Sequence, residues 1–388
     1  MRLLAVGGAL LRWPFDLRRR RPADPRRILV LHHLLLGDTL MLTGLLAKLR
    51  ARHSHAEIIM TVARAHVHLY DAQPYGVRAH AFDPRDVTTL RGLGGNPPFD
   101  LAILPADNRW AWLARALGTR WIVALAGDRP AHKNWPVDEL VPYSPEPCAF
   151  VETAMSLVPG AAPAPYTRAD WPSPPRASPA MSQPYAVLHV GASSPLKQWQ
   201  ADSWREVATE LARRGMDVVW SCGPGEEHLV TAVQPRPGER VVAGTLTLTG
   251  MWQLIDNAAL LVAPDTGIAH LGRIVGTPTV VLFGPGSALM CGPGAFFEAM
   301  PYRAVTTEPF SCRDQRIQFF REVDWVRRCE RLFGGGADRC ARPRCMESIA
   351  VSGVLDAVDD LTSSSEMLRT RAADHDAAVD RLASAPET

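Results

Sequence analysis

The sequence predicts an α/β protein built from two Rossmann-like halves, each with a parallel sheet, facing a central cleft. Three observations predict it. Short apolar runs alternate with helix-period segments, the mark of parallel βαβ units. The alternation stops once, over 159–184, where eight of 26 residues are proline and neither a ladder nor a helix can continue. The chain has 388 residues, 47% of them hydrophobic and 21% charged. That is too long for one ordinary core and suits two domains.

The elements follow in order. Ile28–His32 reads as a buried strand, and Gly37–Arg52 as a helix carrying Leu40, Leu42, Leu45, Leu46 and Leu49. Glu57–Val62, Leu101–Leu104 and Trp121–Leu125 continue as strands. After the proline-rich stretch, Tyr185–Val190 is a strand and Asp202–Arg214 a helix, with Asp202 at its N-cap and Gly215 at its stop. Asp217–Cys222, Leu260–Ala263 and Thr279–Phe283 are further strands, with helices over Gly225–Val233 and Ile268–Val275. The expected organisation is a basic leader at 1–25, a first domain at 26–158, a linker at 159–184, a second domain at 185–362 and a polar tail at 363–388.

Composition excludes several classes. A formal charge of +2 argues against a nucleic-acid binder, which needs a broad basic surface. No apolar run reaches the roughly 18–20 residues that span a bilayer. Seven cysteines in 388 residues are no disulfide scaffold, so a reducing, cytoplasmic setting is expected. The opening MRLLAVGGALLR lacks a small-residue cleavage site and does not read as a signal peptide. Residues 1–27 hold eight arginines against Asp16 and Asp24. With Leu10, Leu11, Trp13 and Phe15 they form either a passive leader or a peripheral contact with an anionic membrane face.

Five constellations could carry chemistry. Gly37-Asp38 follows the first strand, where ligands bind in open parallel sheets; Asp38 is a cleft carboxylate or a helix N-cap. Gly191 to Lys197 (GASSPLK) follows the strand YAVLHV. Its small residues, Ser193, Ser194 and Lys197 could hold an anion, although it is no P-loop. Pro264 to His270 (PDTGIAH) follows another strand. Asp265 or Thr266 could cap the next helix, whose free N–H groups from Gly267 onward would face an anion, with His270 one turn in. Glu226 or Glu227, in GPGEE after a strand, suits a ribose diol or simply the helix dipole. Cys312, Cys329, Cys340 and Cys345 have the spacing C-x16-C-x10-C-x4-C, which matches zinc-ligand spacing only in the last pair; metal binding there stays open. Three anion or ribose features in the second half and one carboxylate in the first describe a nucleotide-diphosphate ligand presented to Asp38. No G-x-G-x-x-G follows a strand, and the only D-x-D triplet, Asp374 to Asp376, lies in the tail.

These motifs, in order, resemble glycosyltransferase family 9, the ADP-heptose:lipopolysaccharide heptosyltransferases. The resemblance covers about residues 26–355 and rests on ILVLHHLLLGDTLMLTGLL, YAVLHVGASSPLKQWQADSWREVATEL, VVWSCGPGEE and LTLTGMWQLIDNAALLVAPDTGIAHLGRIVGTPTVVLFGP. It implies a GT-B fold, an inverting reaction without a catalytic metal or other cofactor, an ADP-heptose donor and a glycolipid or glycan acceptor at the inner face of the inner membrane. Asp38 matches the family's catalytic aspartate and Lys197 its phosphate-binding lysine. Ser193 stands near the phosphate-binding hydroxyls. Glu226 or Glu227 matches the nucleotide-binding glutamate, and Asp265, Thr266, Gly267 and His270 match D-[TS]-G-x-x-H. His32-His33, Leu35-Leu36 and Gly272-Arg273 depart from the family's usual residues. A branch that modifies autotransporter proteins holds iron with four cysteines, at a spacing that differs from this one. Two competing classes are a nucleotide-sugar-binding protein without catalysis, which would not need Asp38, and a transferase acting on a protein or another glycan.

Overall fold

The computed structural model describes residue 7 and residues 20–94, 97–174, 184–307, 309–336 and 338–363. Two six-stranded sheets dominate it. The first contains β1 (Arg27–Val30), β2 (Glu57–Val62), β3 (Val77–Ala81), β4 (Leu101–Leu104), β5 (Trp121–Leu125) and β6 (Glu139–Val141) in the order β3-β2-β1-β4-β5-β6, all parallel. The second contains β7 (Tyr185–His189), β8 (Asp217–Ser221), β9 (Arg240–Val241), β10 (Leu260–Pro264), β11 (Thr279–Phe283) and β12 (Tyr302–Thr306). Its order β9-β8-β7-β10-β11-β12 repeats the winding of the first, again all parallel. Two doubly wound Rossmann-like sheets are the GT-B architecture that the resemblance implies.

The central strands are buried on both faces, which is why they read as unbroken apolar runs. Ile28 pairs with Ile58 on one side and Leu101 on the other. The edges β3, β6, β9 and β12 were not legible. They carry Arg78, His80, Glu139, Arg240 and Arg303, and polar residues blunt edge strands against further pairing.

Helices pack on both sheets. α1 (Leu36–Met41), α2 (Thr43–Arg52), α3 (Ala111–Ala116) and α4 (Phe150–Met155) belong with the first, and α5 (Ala201–Arg213), α6 (Glu227–Ala232), α7 (Leu248–Asp256) and α8 (Gly267–Val275) with the second. A final helix runs over 351–363. The single helix expected over Gly37–Arg52 is two, broken at Leu42. Thr39 Oγ1 donates to Leu35 O at 2.8 Å and Thr43 Oγ1 to Leu40 O at 2.6 Å, and such hydroxyls compete for the carbonyls that continue a helix. Asp202 is not an N-cap. Gln200 holds that place without a side-chain bond, and Asp202 lies in the first turn, where its charge suits the dipole. Gly215 follows the end of α5 with φ +81°, as a helix stop requires.

The proline-rich stretch is anchored as far as residue 174. Tyr166 and Trp171 are fully buried. The Tyr166 hydroxyl donates to Ile274 O at 2.7 Å, and Trp171 Nε1 to Leu69 O at 3.0 Å. This segment therefore joins the two halves through packing as well as through the chain. Residues 175–183, the tail from 364, and the leader up to 19 apart from Gly7 lie outside the described residues. Of the leader's arginines, Arg21 pairs with Glu139 on β6 at 2.7 Å. Among the described residues no helix is long and apolar enough to cross a membrane.

Candidate active site

The site forms where the two halves meet. β1 runs through residues 31–35 into α1, and β10 runs through Asp265 and Thr266 into α8. The first turn is shaped by Thr61, whose hydroxyl accepts the His32 N–H at 2.9 Å and donates to His32 O at 2.8 Å. α1 and α8 then pack directly on each other. The approach is close because each offers a glycine to the other's side chain. A methyl at Gly37 would stand 2.7 Å from His270 Cδ2, and one at Gly267 would stand 2.7 Å from Leu36 Cβ.

Asp38 sits in the first turn of α1, while Leu35 occupies the N-cap, so its carboxylate is not spent on capping. Among the described residues none hydrogen-bonds it. Burial pushes its pKa up to about 6; Arg328 and Lys197 oppose the shift and Asp265 adds to it. The ordinary carboxylate value near 3.9 does not apply here.

Across the junction, Lys197 is engaged. Its Nζ donates to Asp265 Oδ2 at 2.8 Å and to Asp265 O at 2.7 Å. Burial pulls the lysine's pKa down, but the charge and hydrogen bond of Asp265 outweigh it, and the net shift is upward. Burial raises Asp265, and Lys197 and His270 more than reverse that, so its net shift is downward. The pair is ionised. His270 is the reverse case: burial and then Arg273 lower it to about 3, against Asp265. It is a neutral imidazole with Nε2 4.0 Å from Asp265 Oδ1, and its buried Nδ1 has no partner among the described residues. Thr266 holds the N-cap of α8 without a capping bond, and among the described residues its buried hydroxyl is also unpartnered. The N-terminus of α8 therefore offers an uncapped helix end and a free hydroxyl beside a lysine, a set suited to phosphate.

The remaining expected residues lie in the turns after β7 and β8. Ser193 is exposed. Ser194 caps the short turn that carries Lys197, its Oγ accepting the Leu196 N–H at 3.3 Å. Glu226 folds back so that Oε2 accepts the Gly223 N–H at 2.9 Å, beside Gly191, where only a residue without a Cβ leaves room for it. Its Oε1 makes no hydrogen bond to a described residue. Glu227 Oε1 in turn accepts the Gly225 N–H at 3.0 Å.

The sequence model of glycosyltransferase family 9 (heptosyltransferase) matches residues 99–295, just over half of the chain. The chain belongs to glycosyltransferase family 9. Lipopolysaccharide heptosyltransferase 1 of Pseudomonas aeruginosa is 34% identical over 110 residues, which are 26% of this chain and 29% of that protein. The matched stretch spans less than half the length of the curated relatives. Among solved structures, the family 9 glycosyl transferase of Veillonella parvula superposes with a TM-score of 0.69 at 16% identity, covering 88% of this chain and 99% of that one. The E. coli ADP-heptose lps heptosyltransferase II superposes with a TM-score of 0.65 at 18% identity, with the same coverage. These likenesses show the fold.

Three features of this family 9 chain escaped the sequence reading. Cys291 lies with Asp265 and His270 so that one ligand atom from each falls within 4.8 Å of the others. Burial and then Asp265 raise its pKa, so it stays a thiol. Arg273, buried, holds its loop by donating to Gly292 O at 2.9 Å and Cys291 O at 2.7 Å. The second feature is a strap over 310–345, contributed after β12. It returns to the first half, where Arg321 is buried with Nη2 2.7 Å from Asn108 Oδ1 and 3.5 Å from Asp128 Oδ2. The third is Arg328, on that strap. The four expected cysteines are distributed along the strap as free thiols. Their sulfurs form no ligand group of that tightness among the described residues. They are neighbours all the same: burial, and then Cys312, Cys329 and Cys340 against Arg313, push Cys345 up to about 11. None of these features has a local motif, because each depends on chain brought back from far along the sequence.

Proposed function

We propose that this protein is an inverting glycosyltransferase that moves a heptose from ADP-heptose to a lipopolysaccharide-core or related glycan hydroxyl. One observation carries the reading: a carboxylate with its pKa raised to about 6 stands across a glycine-lined junction from an ionised Lys197–Asp265 pair at an uncapped helix N-terminus. The acceptor docks on residues 26–158 and the donor on 185–362. The acceptor oxygen forms its bond to the anomeric carbon while the bond from that carbon to the diphosphate oxygen breaks. The acceptor proton passes to Asp38, for which a pKa nearer neutrality makes a better base. The diphosphate leaves with added negative charge. Lys197, the Thr266 hydroxyl and the first N–H groups of α8 meet that charge, the part a metal ion plays in other transferases. Glu226 holds the ribose diol, and Ser193 and Ser194 line the phosphate approach. Neutral His270 lines the donor side of the site next to Asp265.

The test is incubation of the protein with ADP-heptose, other nucleotide sugars and truncated glycolipids, with and without EDTA, read by mass spectrometry. A mass gain of one heptose on the glycolipid, unchanged by EDTA, is expected. Transfer to none of them sinks the reading, and loss with EDTA restored by Mg²⁺ sinks its metal-independent step. Residues 1–25 would hold the enzyme at the anionic membrane face, each basic residue contributing on the order of 1 kcal/mol. Their deletion should then abolish cosedimentation with anionic liposomes and spare turnover on a soluble acceptor.

A further inference from the structure

The strap crosses both halves and is fixed at each crossing. Arg321 is buried in the first half, where its Nε donates to Ala126 O at 3.0 Å. Four residues on, Trp325 Nε1 donates to Ser144 O at 2.9 Å, and Val326 is fully buried. The chain then returns to the second half, where the Cys329 N–H donates to Pro285 O at 2.9 Å. Pro285 belongs to the turn after β11, and β11 itself accepts the Asp265 N–H through Leu282 O at 3.0 Å. Arg328 lies between these anchors. Its backbone is held by mutual hydrogen bonds with Gln315, the N–H of Gln315 to Arg328 O at 3.1 Å and the reverse at 3.3 Å. The guanidinium is partly exposed, and its charged partner is Glu330 at 2.9 Å, itself at the surface.

The turn after β11 that holds this backbone also borders the site, since a methyl at Gly286, next to Pro285, would collide with Asp265 Oδ2; the Arg328 charge is therefore near enough to be felt there. It acts on Asp38 and Asp265, lowering both, and on Lys197 and Cys291 as well. On Asp38 it is the first of the charges that oppose burial. Lys197 meanwhile has its charge matched by Asp265 in the absence of a donor. A diphosphate carries more negative charge than one such lysine offsets, and guanidinium is the group that meets phosphate oxygens with paired N–H donors.

We infer that Arg328 is a second cation of the donor site, delivered by the strap to the diphosphate of a nucleotide sugar and held within range of the Asp38 base. This rests on the function proposed above. Glu330, at the surface, keeps the guanidinium in place until phosphate oxygens replace it. The strap thereby makes donor binding depend on contacts with the half of the molecule that takes the acceptor.

The experiment compares wild type, Arg328→Gln and Arg328→Lys by calorimetric titration with ADP and with AMP, and by the pH profile of kcat/KM. Arg328→Gln should weaken ADP binding by about 10–100-fold, as loss of a charge-assisted pair does, and weaken AMP much less. It should also move the acid limb of kcat/KM upward in pH, because a cation that lowers the Asp38 pKa has gone. Arg328→Lys should restore the limb and only part of the ADP affinity. A folding defect moves neither the ADP-to-AMP ratio nor the limb, and thermal melts of each variant identify one. If Arg328→Gln melts as wild type and binds ADP within twofold of it with the limb unmoved, the inference is overturned. If Arg328→Gln does not fold, unchanged ADP affinity and an unchanged limb in Glu330→Arg, which adds a competing cation at that spot, overturn it instead. If wild type binds neither ADP nor another nucleoside diphosphate, the function proposed above fails, a result distinct from equal binding by wild type and variant.

Discussion

Asp38 combines two properties that oppose each other. Burial that raises its pKa to about 6 makes it a better base and makes its charged form costly to the fold. The sign is set by comparison with the unfolded value of 3.8: the stabilisation from the protonated form is complete below 3.8 and is lost as pH rises to about 6. Asp38→Asn should therefore lower kcat by about 10²–10⁴-fold and at the same time raise the thermal midpoint at pH 7.5. Equal melting of variant and wild type would show that the carboxylate is not strained in the fold. In the wild type, kcat/KM should fall tenfold per unit below about pH 6. The buried histidines work in the other direction. His32 and His270 are lowered to about 3 and His189 to about 4, in each case chiefly by burial. Their stabilising contribution is complete above the unfolded value of 6.5 and is lost as pH falls from there toward 3–4. Melting temperatures followed between pH 7 and 4 should drop, and His189→Gln should flatten the drop. At this scale the sequence was most legible where a residue follows a strand. Asp38, Lys197, Asp265 and His270 each lie within eight residues after a strand end, and the fold brings those ends together. What it could not convey was the protonation state, which depends on burial by the opposite half.

α1 and α8 show how much an element depends on its neighbour. Both were visible from their apolar spacing and from the strands before them. The break at Leu42 was not, because the threonine hydroxyls that cause it act on carbonyls and leave no trace in the apolar pattern. The role of Gly37 and Gly267 was also hidden. Each reads as an ordinary turn glycine, yet each is required by a side chain from some 230 residues away. Gly267→Ala would place a methyl 2.7 Å from Leu36 Cβ and 2.9 Å from its Cγ. Overpacking of this kind typically costs about 1–3 kcal/mol. Because the contact joins Asp38 to the Lys197–Asp265 pair, turnover should fall by more than tenfold while far-UV circular dichroism stays native. Turnover close to wild type would mean that the junction is softer than its geometry implies.

At the scale of the whole molecule, the two sheets and the break between them were legible because central parallel strands must be apolar on both faces. The strap was not, since its strands are two residues long and its anchors are single side chains. Arg321 is the chief of these, fully buried and hydrogen-bonded to Ala106 O, Ala126 O, Leu125 O and Asn108 Oδ1. Removing one member of a buried charged network typically costs about 3 kcal/mol or more. Lys133 keeps Asp128 paired at 2.9 Å, so Arg321→Ala should fall at the lower end, about 3 kcal/mol by denaturant melting. It should weaken ADP binding as well, through Arg328. The strap is encoded after the second sheet yet docks on the first, and Tyr166 and Trp171, encoded before the second sheet, tie to Ile274 and Leu69. Each half thus carries a piece of chain seated in the other. A protease cut within 175–183 would divide the polypeptide without dividing the enzyme: the two fragments should copurify, and when expressed as separate genes they should find each other and rebuild the cleft by complementation.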